Sequence, residues 1–145
     1  KRSREDLSIL LIDIDHFKNI NNNYGQAMGD KVLVGVAKIV ESCLRETDTG
    51  ARTGGGEFAA ILPETPAGGA FWVGERIRSS VAKESFRLKD DAPLVGCTVS
   101  VGIASARFDQ NMDAGTLYKT ADQRLYIAKH TGRNQVSMDE IVEMH

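Results

Sequence analysis

Ala51-Arg52-Thr53-Gly54-Gly55-Gly56-Glu57-Phe58-Ala59-Ala60-Ile61-Leu62 decides the fold. Ala51 to Thr53 and Glu57 to Leu62 read as two short strands, with a glycine triplet between them. Such a tip requires unusual dihedrals or close backbone approach, and makes the two strands an antiparallel hairpin. Pro63 cannot donate to a ladder and ends the second strand.

Upstream, Gly29 to Leu44 has helical spacing, with Val32, Val36 and Val40 on one face and Leu33, Ala37 and Leu44 beside them. Lys31, Lys38 and Glu41 fall toward the other side, and Thr49-Gly50 breaks the pattern. His16 to Tyr24 suits a short helix, with Phe17 and Ile20 three apart and Asn21-Asn22-Asn23-Tyr24-Gly25 marking its end. Leu7 to Asp13 is an apolar run expected to form a strand buried on both faces, closed by Asp13-Ile14-Asp15.

Downstream, Pro66 to Val81 reads as a helix weakened by Gly68, Gly69 and Gly74. A charged connection, Phe86 to Pro93, leads to a strand over Leu94 to Ala106, where Val95, Cys97, Val99, Val101 and Ile103 alternate. Asp113 to His130 is a further helix, with Leu117, Ala121, Leu125 and Ala128 on one face, and Gly132 stops it. Gln135 to Ser137 is expected as an edge strand, with a helical or frayed tail after Met138. Helices between strands imply crossovers on one sheet. The fold class is therefore α/β (an α+β sandwich), with a ferredoxin-like βαββαβ core and extra elements. Nucleotide cyclases and polymerase palms share this plan, and the plan alone assigns no function.

The 145 residues suit one domain, 1–145, with 41% hydrophobic and 26% charged residues. Net charge of −2 and a pI near 5.9 argue against a nucleic-acid polymer as partner, while allowing a small basic pocket for one nucleotide. No apolar run is long enough to span a bilayer, and no signal peptide opens the chain. A cytoplasmic location is expected, with any sensor, output domain or membrane anchor outside these residues. Cys43 and Cys97 lack metal-ligand spacing and are expected to be buried free thiols.

Four segments carry possible chemistry. Asp13 and Asp15, at a strand end, offer hard oxygens for Mg²⁺, or cap the following helix. Arg52 through Phe58 offers a glycine tip that a phosphate can approach, or a tight turn. Lys129 and Arg133, four apart around a helix C-terminus, suit a triphosphate or complement the helix dipole. Arg45 and Asp48, three apart, form a ligand site or a surface pair.

Together, Leu11 through Lys18, Asn21, Gly29-Asp30, Arg52 through Phe58, Thr98 through Ala104, Ala121-Asp122, Leu125-Tyr126, Ala128-Lys129 and Gly132-Arg133-Asn134 resemble the GGDEF domain, nearly throughout the chain and in order. The family's usual opening motif, ahead of the first strand, is absent, so the chain is expected to start inside the domain. The resemblance implies a diguanylate cyclase ancestry: two domains, as a homodimer, each bring one GTP, and cyclic-di-GMP and pyrophosphate form with Mg²⁺ or Mn²⁺. It implies Asp13 and the Ile14 carbonyl as metal ligands. Asn21 and Asp30 would read the guanine edge, since an acid accepts from guanine N1 and N2. Phe17, Lys18, Gly54 and Gly55 would lie along the nucleotide, with Lys129 and Arg133 on its phosphates. Glu57 would be the retained acid of the signature loop. Arg45 and Asp48 would form an RxxD inhibitory site for cyclic-di-GMP, six residues ahead of Gly54, with Arg76 as a secondary arginine.

One departure stands out. The family's loop carries an acid where this chain has Gly56. Losing a metal-binding carboxylate is expected to remove about 4 kcal/mol of transition-state stabilisation, about a thousandfold in rate. The expected function is a degenerate domain with weak or no cyclase activity that binds cyclic-di-GMP, GTP or both. A working cyclase ranks second, because every other recognised position is intact. A protein-interaction or dimerisation module without ligand ranks last.

Overall fold

The computed structural model describes residues 6–107 and 113–138. Five strands form one sheet: β1 (Leu7–Ile14), β2 (Thr49–Gly54), β3 (Glu57–Pro63), β6 (Val99–Ser105) and β7 (Val136–Ser137). Their order is β2-β3-β1-β6-β7. Every pairing is antiparallel except β6 with β7. The first four strands reproduce the ferredoxin-like split βαβ arrangement. β1 lies between β3 and β6 and is buried along nearly its whole length, as its apolar run predicts.

Helices cover both faces. α2 (Gln26–Ser42) and α3 (Ala67–Lys83) pack Val32, Val36, Ile77 and Val81 against Leu10, Ile12, Val101 and Ile103. α4 (Ala114–His130) lies on the opposite face, with Leu117, Ala121 and Leu125 against Ile9, Leu11 and Ala104. α1 (Phe17–Tyr24) connects the end of β1 to α2, and Ile20 anchors it in the core.

Some boundaries differ from the sequence expectation. α2 starts at Gln26 rather than Gly29, since the chain turns within the single residue Gly25, at φ 90°. The helix therefore begins before its apolar stripe does. It ends at Ser42, although Leu44 still packs on the core. β2 extends to Thr49, where a break was expected. The expected strand from Leu94 to Ala106 is two pieces. β5 (Val95–Gly96) pairs with β4 (Ser85–Phe86) in a separate small sheet, and β6 starts only at Val99. β6 is buried at every position because its alternate faces meet different helices. The tail after Met138 lies outside the described residues.

Gly102 permits the close approach of α4 to β6. A Cβ there would be driven into the backbone of α4 at Ala121 and Leu125. The steric conflict is with backbone, so no side-chain rotation relieves it. Gly102→Ala is expected to destabilise the domain by about 3 kcal/mol, read as a lower urea midpoint with an unchanged slope.

Candidate nucleotide site

The C-terminal end of β1 gathers most of the residues singled out above. Asp13 stands opposite Glu57 on β3 and Ser100 on β6. Directly opposed residues share a face, so Asp13 and Glu57 lie side by side. The next amide, Ile14 N, donates to Gly56 O at 2.9 Å and so ties the hairpin tip to the strand end. Lys129, in the last turn of α4, places Nζ 2.5 Å from Asp13 Oδ2.

The hairpin tip is tight. Gly56 is buried and has φ 113°, and its amide donates to Gly54 O at 3.1 Å. Arg52 Nε also donates to Gly54 O, at 2.9 Å, and the pairing register slips between Arg52 and Gly54. A Cβ on Gly56 would stand 3.0 Å from Phe17 Cδ2. Both the positive φ and the Phe17 ring therefore select glycine. Gly55 is exposed with open space around it, so its backbone is free to be approached.

Asn21 and Asp30 lie beside this corner on α1 and α2. Asn21 is one turn beyond Phe17 on the same helix. Its side chain packs on Gly29, where any Cβ would overlap Asn21 Oδ1. That oxygen is buried without a hydrogen-bond partner, so the amide retains unspent bonding capacity next to exposed Asp30. Lys18 is exposed on the first turn of α1. Arg133 is exposed after α4, within three successive left-handed residues, Gly132, Arg133 and Asn134. Arg133 N donates to Ala128 O at 2.9 Å, which closes the helix end.

Asp15 has a role that the sequence did not disclose. It is 4% exposed and accepts from Thr98 Oγ1 at 2.7 Å, Ser100 Oγ at 2.7 Å and Asn134 N at 3.0 Å. It thus holds the loop that carries Arg133 against β1 and β6. These three bonds occupy the Asp15 carboxylate. Neither acid caps α1, whose N-cap is His16 with no side-chain cap bond. Burial pushes the neighbouring Cys97 thiol up to about 11, with the Asp15 charge adding to the shift.

These residues do not fit a two-ion metal centre. Glycine supplies no carboxylate at position 56, and the Asp13 carboxylate already has the Lys129 ammonium as counter-ion. Among the described residues no three His, Cys, Asp or Glu side chains cluster closely enough to hold a metal.

A second feature lies at the other end of the hairpin. Arg45 and Asp48 face each other as a fork: Nη2 donates to Asp48 Oδ1 at 2.6 Å and Nε to Oδ2 at 3.1 Å. The Arg45 amide donates to Asp48 Oδ2 at 2.8 Å. Nη2 also reaches Pro63 O at 3.1 Å and Thr65 Oγ1 at 2.8 Å, pinning the turn to the start of α3. The Arg45 side chain remains 39% exposed while that of Asp48 is 1% exposed. A cavity of about 660 Å³ opens beside the pair, floored by Val40, Leu44, Ala51 and Phe58 and edged by Arg52. Arg76 is exposed on α3, about two and a half turns beyond the helix start.

The hydrogen bonds that it donates to Asp48 hold the Arg45 guanidinium above its ordinary range. Burial pushes the Asp48 carboxyl up, but the bonds and charge of Arg45 outweigh burial and hold it below the ordinary range. A depressed carboxyl contributes stability above its unfolded pKa and loses it as pH falls through the folded value. The stability gap between the natural chain and Asp48→Asn is therefore expected to be full at pH 7. It should close as pH falls below about 4, in urea titrations run across that range.

With the geometry established, comparison with known proteins identifies the class. The family model "Diguanylate cyclase, GGDEF domain" matches residues 1–135. The chain belongs to the GGDEF domain family and is homologous to the diguanylate cyclases of cyclic-di-GMP signalling. It is 47% identical over 137 residues to diguanylate cyclase A of Treponema denticola, covering 94% of this chain and 36% of that protein. The active GGEEF domain of a diguanylate cyclase from Vibrio cholerae superposes with a TM-score of 0.84 at 33% identity, covering 96% of this chain and 86% of that one. The GGDEF domain of DgcB from Caulobacter crescentus, in complex with c-di-GMP, gives 0.86 at 30% identity, covering 92% and 77%. The chain thus spans about a third of the length of its Treponema relative. No helix among the described residues is long and apolar enough to cross a membrane.

Proposed function

We propose that this is a catalytically weak or silent GGDEF domain. In this reading it binds GTP at the former active site and cyclic-di-GMP at Arg45 and Asp48, and passes nucleotide occupancy to a neighbouring domain. One observation carries the reading. At the position where two-metal chemistry needs a cluster of acids, there is a buried glycine, and the remaining strand-end aspartate is paired with Lys129.

Binding survives this loss more readily than catalysis. A triphosphate entering the corner meets Lys129 and Arg133 from the end of α4 and the open backbone at Gly55. It meets one acid fewer than in the family's usual loop, so less repulsion opposes it without a metal. The unspent amide of Asn21 and the carboxylate of Asp30 would orient guanine by accepting from its N1 and N2 groups. At the second site, Arg45 is already oriented by Asp48, and its exposed edge is available to a phosphate or a guanine Hoogsteen edge.

A second reading, a working diguanylate cyclase acting as a homodimer, is favoured by the alignment of Asp13 with Glu57 across β1 and β3. The test is chromatography of purified, product-stripped protein incubated at high concentration with GTP and Mg²⁺ or Mn²⁺. The expected result is little or no cyclic-di-GMP beside measurable GTP binding; clear turnover would establish the second reading.

Gly56→Asp is expected to raise product formation by about a thousandfold. It should also lower stability, because the new side chain inherits a positive φ against Phe17. A folded, dimeric variant with no gain in product would place the defect elsewhere.

A further inference from the structure

Trp72 is the chain's single tryptophan and, at 73%, its most exposed large hydrophobic side chain among the described residues. α3 turns Ala70, Gly74, Ile77 and Val81 inward, which leaves Trp72 on the outer face. Gly68 stands one turn before it and Arg76 one turn after, both exposed. Side chains on a helix lean over the turn toward the N-terminus. A Cβ at Gly68 would meet nothing within 4 Å, so the space one turn before Trp72 is open. Arg76 leans back toward the indole by the same rule. Among the described residues the stacked ring pair is Tyr126 with His130, on another helix. The face of Trp72 is thus an uncovered aromatic surface.

The same stretch of α3 is joined to the Arg45 fork. Arg45 Nη2 holds Thr65 Oγ1, and Thr65 Cγ2 lies 3.2 Å from the position a Cβ on Gly69 would take. Arg45 is thus held at the N-terminal end of α3, and Gly69, Trp72 and Arg76 follow along the first half of that helix, a span of about 14 Å from Ala67 to Arg76. Besides Asp48, which pairs with Arg45, two acids lie nearby. Glu75 is bonded to Arg78, and Glu64 adds its charge at Arg45. Arg45 and Arg76 are both exposed residues.

We propose that Trp72 is the base-stacking platform of the cyclic-dinucleotide site, taking one purine of cyclic-di-GMP on its indole face between the guanidinium groups of Arg45 and Arg76. A flat purine stacks on any aromatic face, whereas the flanking guanidinium groups suit its phosphates and Hoogsteen edge. The inference rests on the reading of Arg45 and Asp48 as a cyclic-di-GMP site, and it adds a residue that the RxxD motif does not contain.

The single tryptophan makes the test direct. The product-stripped chain is titrated with cyclic-di-GMP, with indole fluorescence and calorimetry read in parallel. The expected result is quenching whose midpoint matches the calorimetric Kd. Affinity should be retained in Trp72→Phe, weakened about tenfold in Trp72→Ala, and lost in Arg45→Ala. Calorimetric binding that needs Arg45, with unchanged fluorescence and full affinity in Trp72→Ala, would overturn the platform and leave the site standing. No calorimetric binding to the natural chain would overturn the site and the platform together. A blue shift that follows protein concentration without ligand would assign Trp72 to a contact between copies and overturn the proposal.

Discussion

Asp15 holds a buried negative charge where three parts of the chain meet. Its carboxylate takes hydrogen bonds from Thr98 and Ser100 on the approach to and the start of β6, and from Asn134 after α4. A charge removed from water must be compensated by hydrogen bonds, and these three donors supply them. Because they come from separate segments, satisfying the charge also sets where those segments lie. The loop after α4 is held beside β1, and with it the end of the helix that carries Lys129. The left-handed conformations of Gly132, Arg133 and Asn134 persist because this anchor over-determines them.

Two positions then decide the character of the corner. Gly56 fits its conformation because it lacks a side chain, and the hairpin closes down on Phe17. Asp13 is left with a lysine as its nearest opposite charge. A carboxylate paired with an ammonium group at 2.5 Å is close to electrically satisfied without a metal ion. The corner retains the cations and amide groups that favour an anion, and lacks the dense set of acids that favours divalent metal. In the proposed reading, that balance favours holding a nucleotide over transforming it.

The Arg45 and Asp48 pair serves packing and, in the proposed reading, recognition as well. Asp48 is almost fully covered, and its fork with Arg45 fastens the turn after α2 to the residues that open α3. The guanidinium is nevertheless more than a third exposed. An arginine whose orientation is set before a ligand arrives loses less freedom on binding than a mobile one. A ligand there would bridge elements already joined, with no large rearrangement to drive.

Much of this was legible in the residues alone. The Gly54 to Gly56 tip announced the hairpin, the Leu7 to Asp13 run announced a central strand, and the order of elements yielded the ferredoxin-like core. Local patterns sufficed because they arise from turn chemistry and from which faces are buried. The alternation from Val95 to Ile103 misled, since Val95 and Gly96 pair with the nearby Ser85 and Phe86 in a separate sheet, and alternation alone does not say which sheet a strand joins. The Asn21 orphan, the Lys129 to Asp13 pair and the threefold bonding of Asp15 were equally invisible, because each depends on groups brought together only by folding. The sequence by itself determined the family, the core plan and the missing acid at position 56. Only the tertiary structure decided which charges neutralise one another and which side chains face solvent, because those depend on distances between segments that no local pattern encodes.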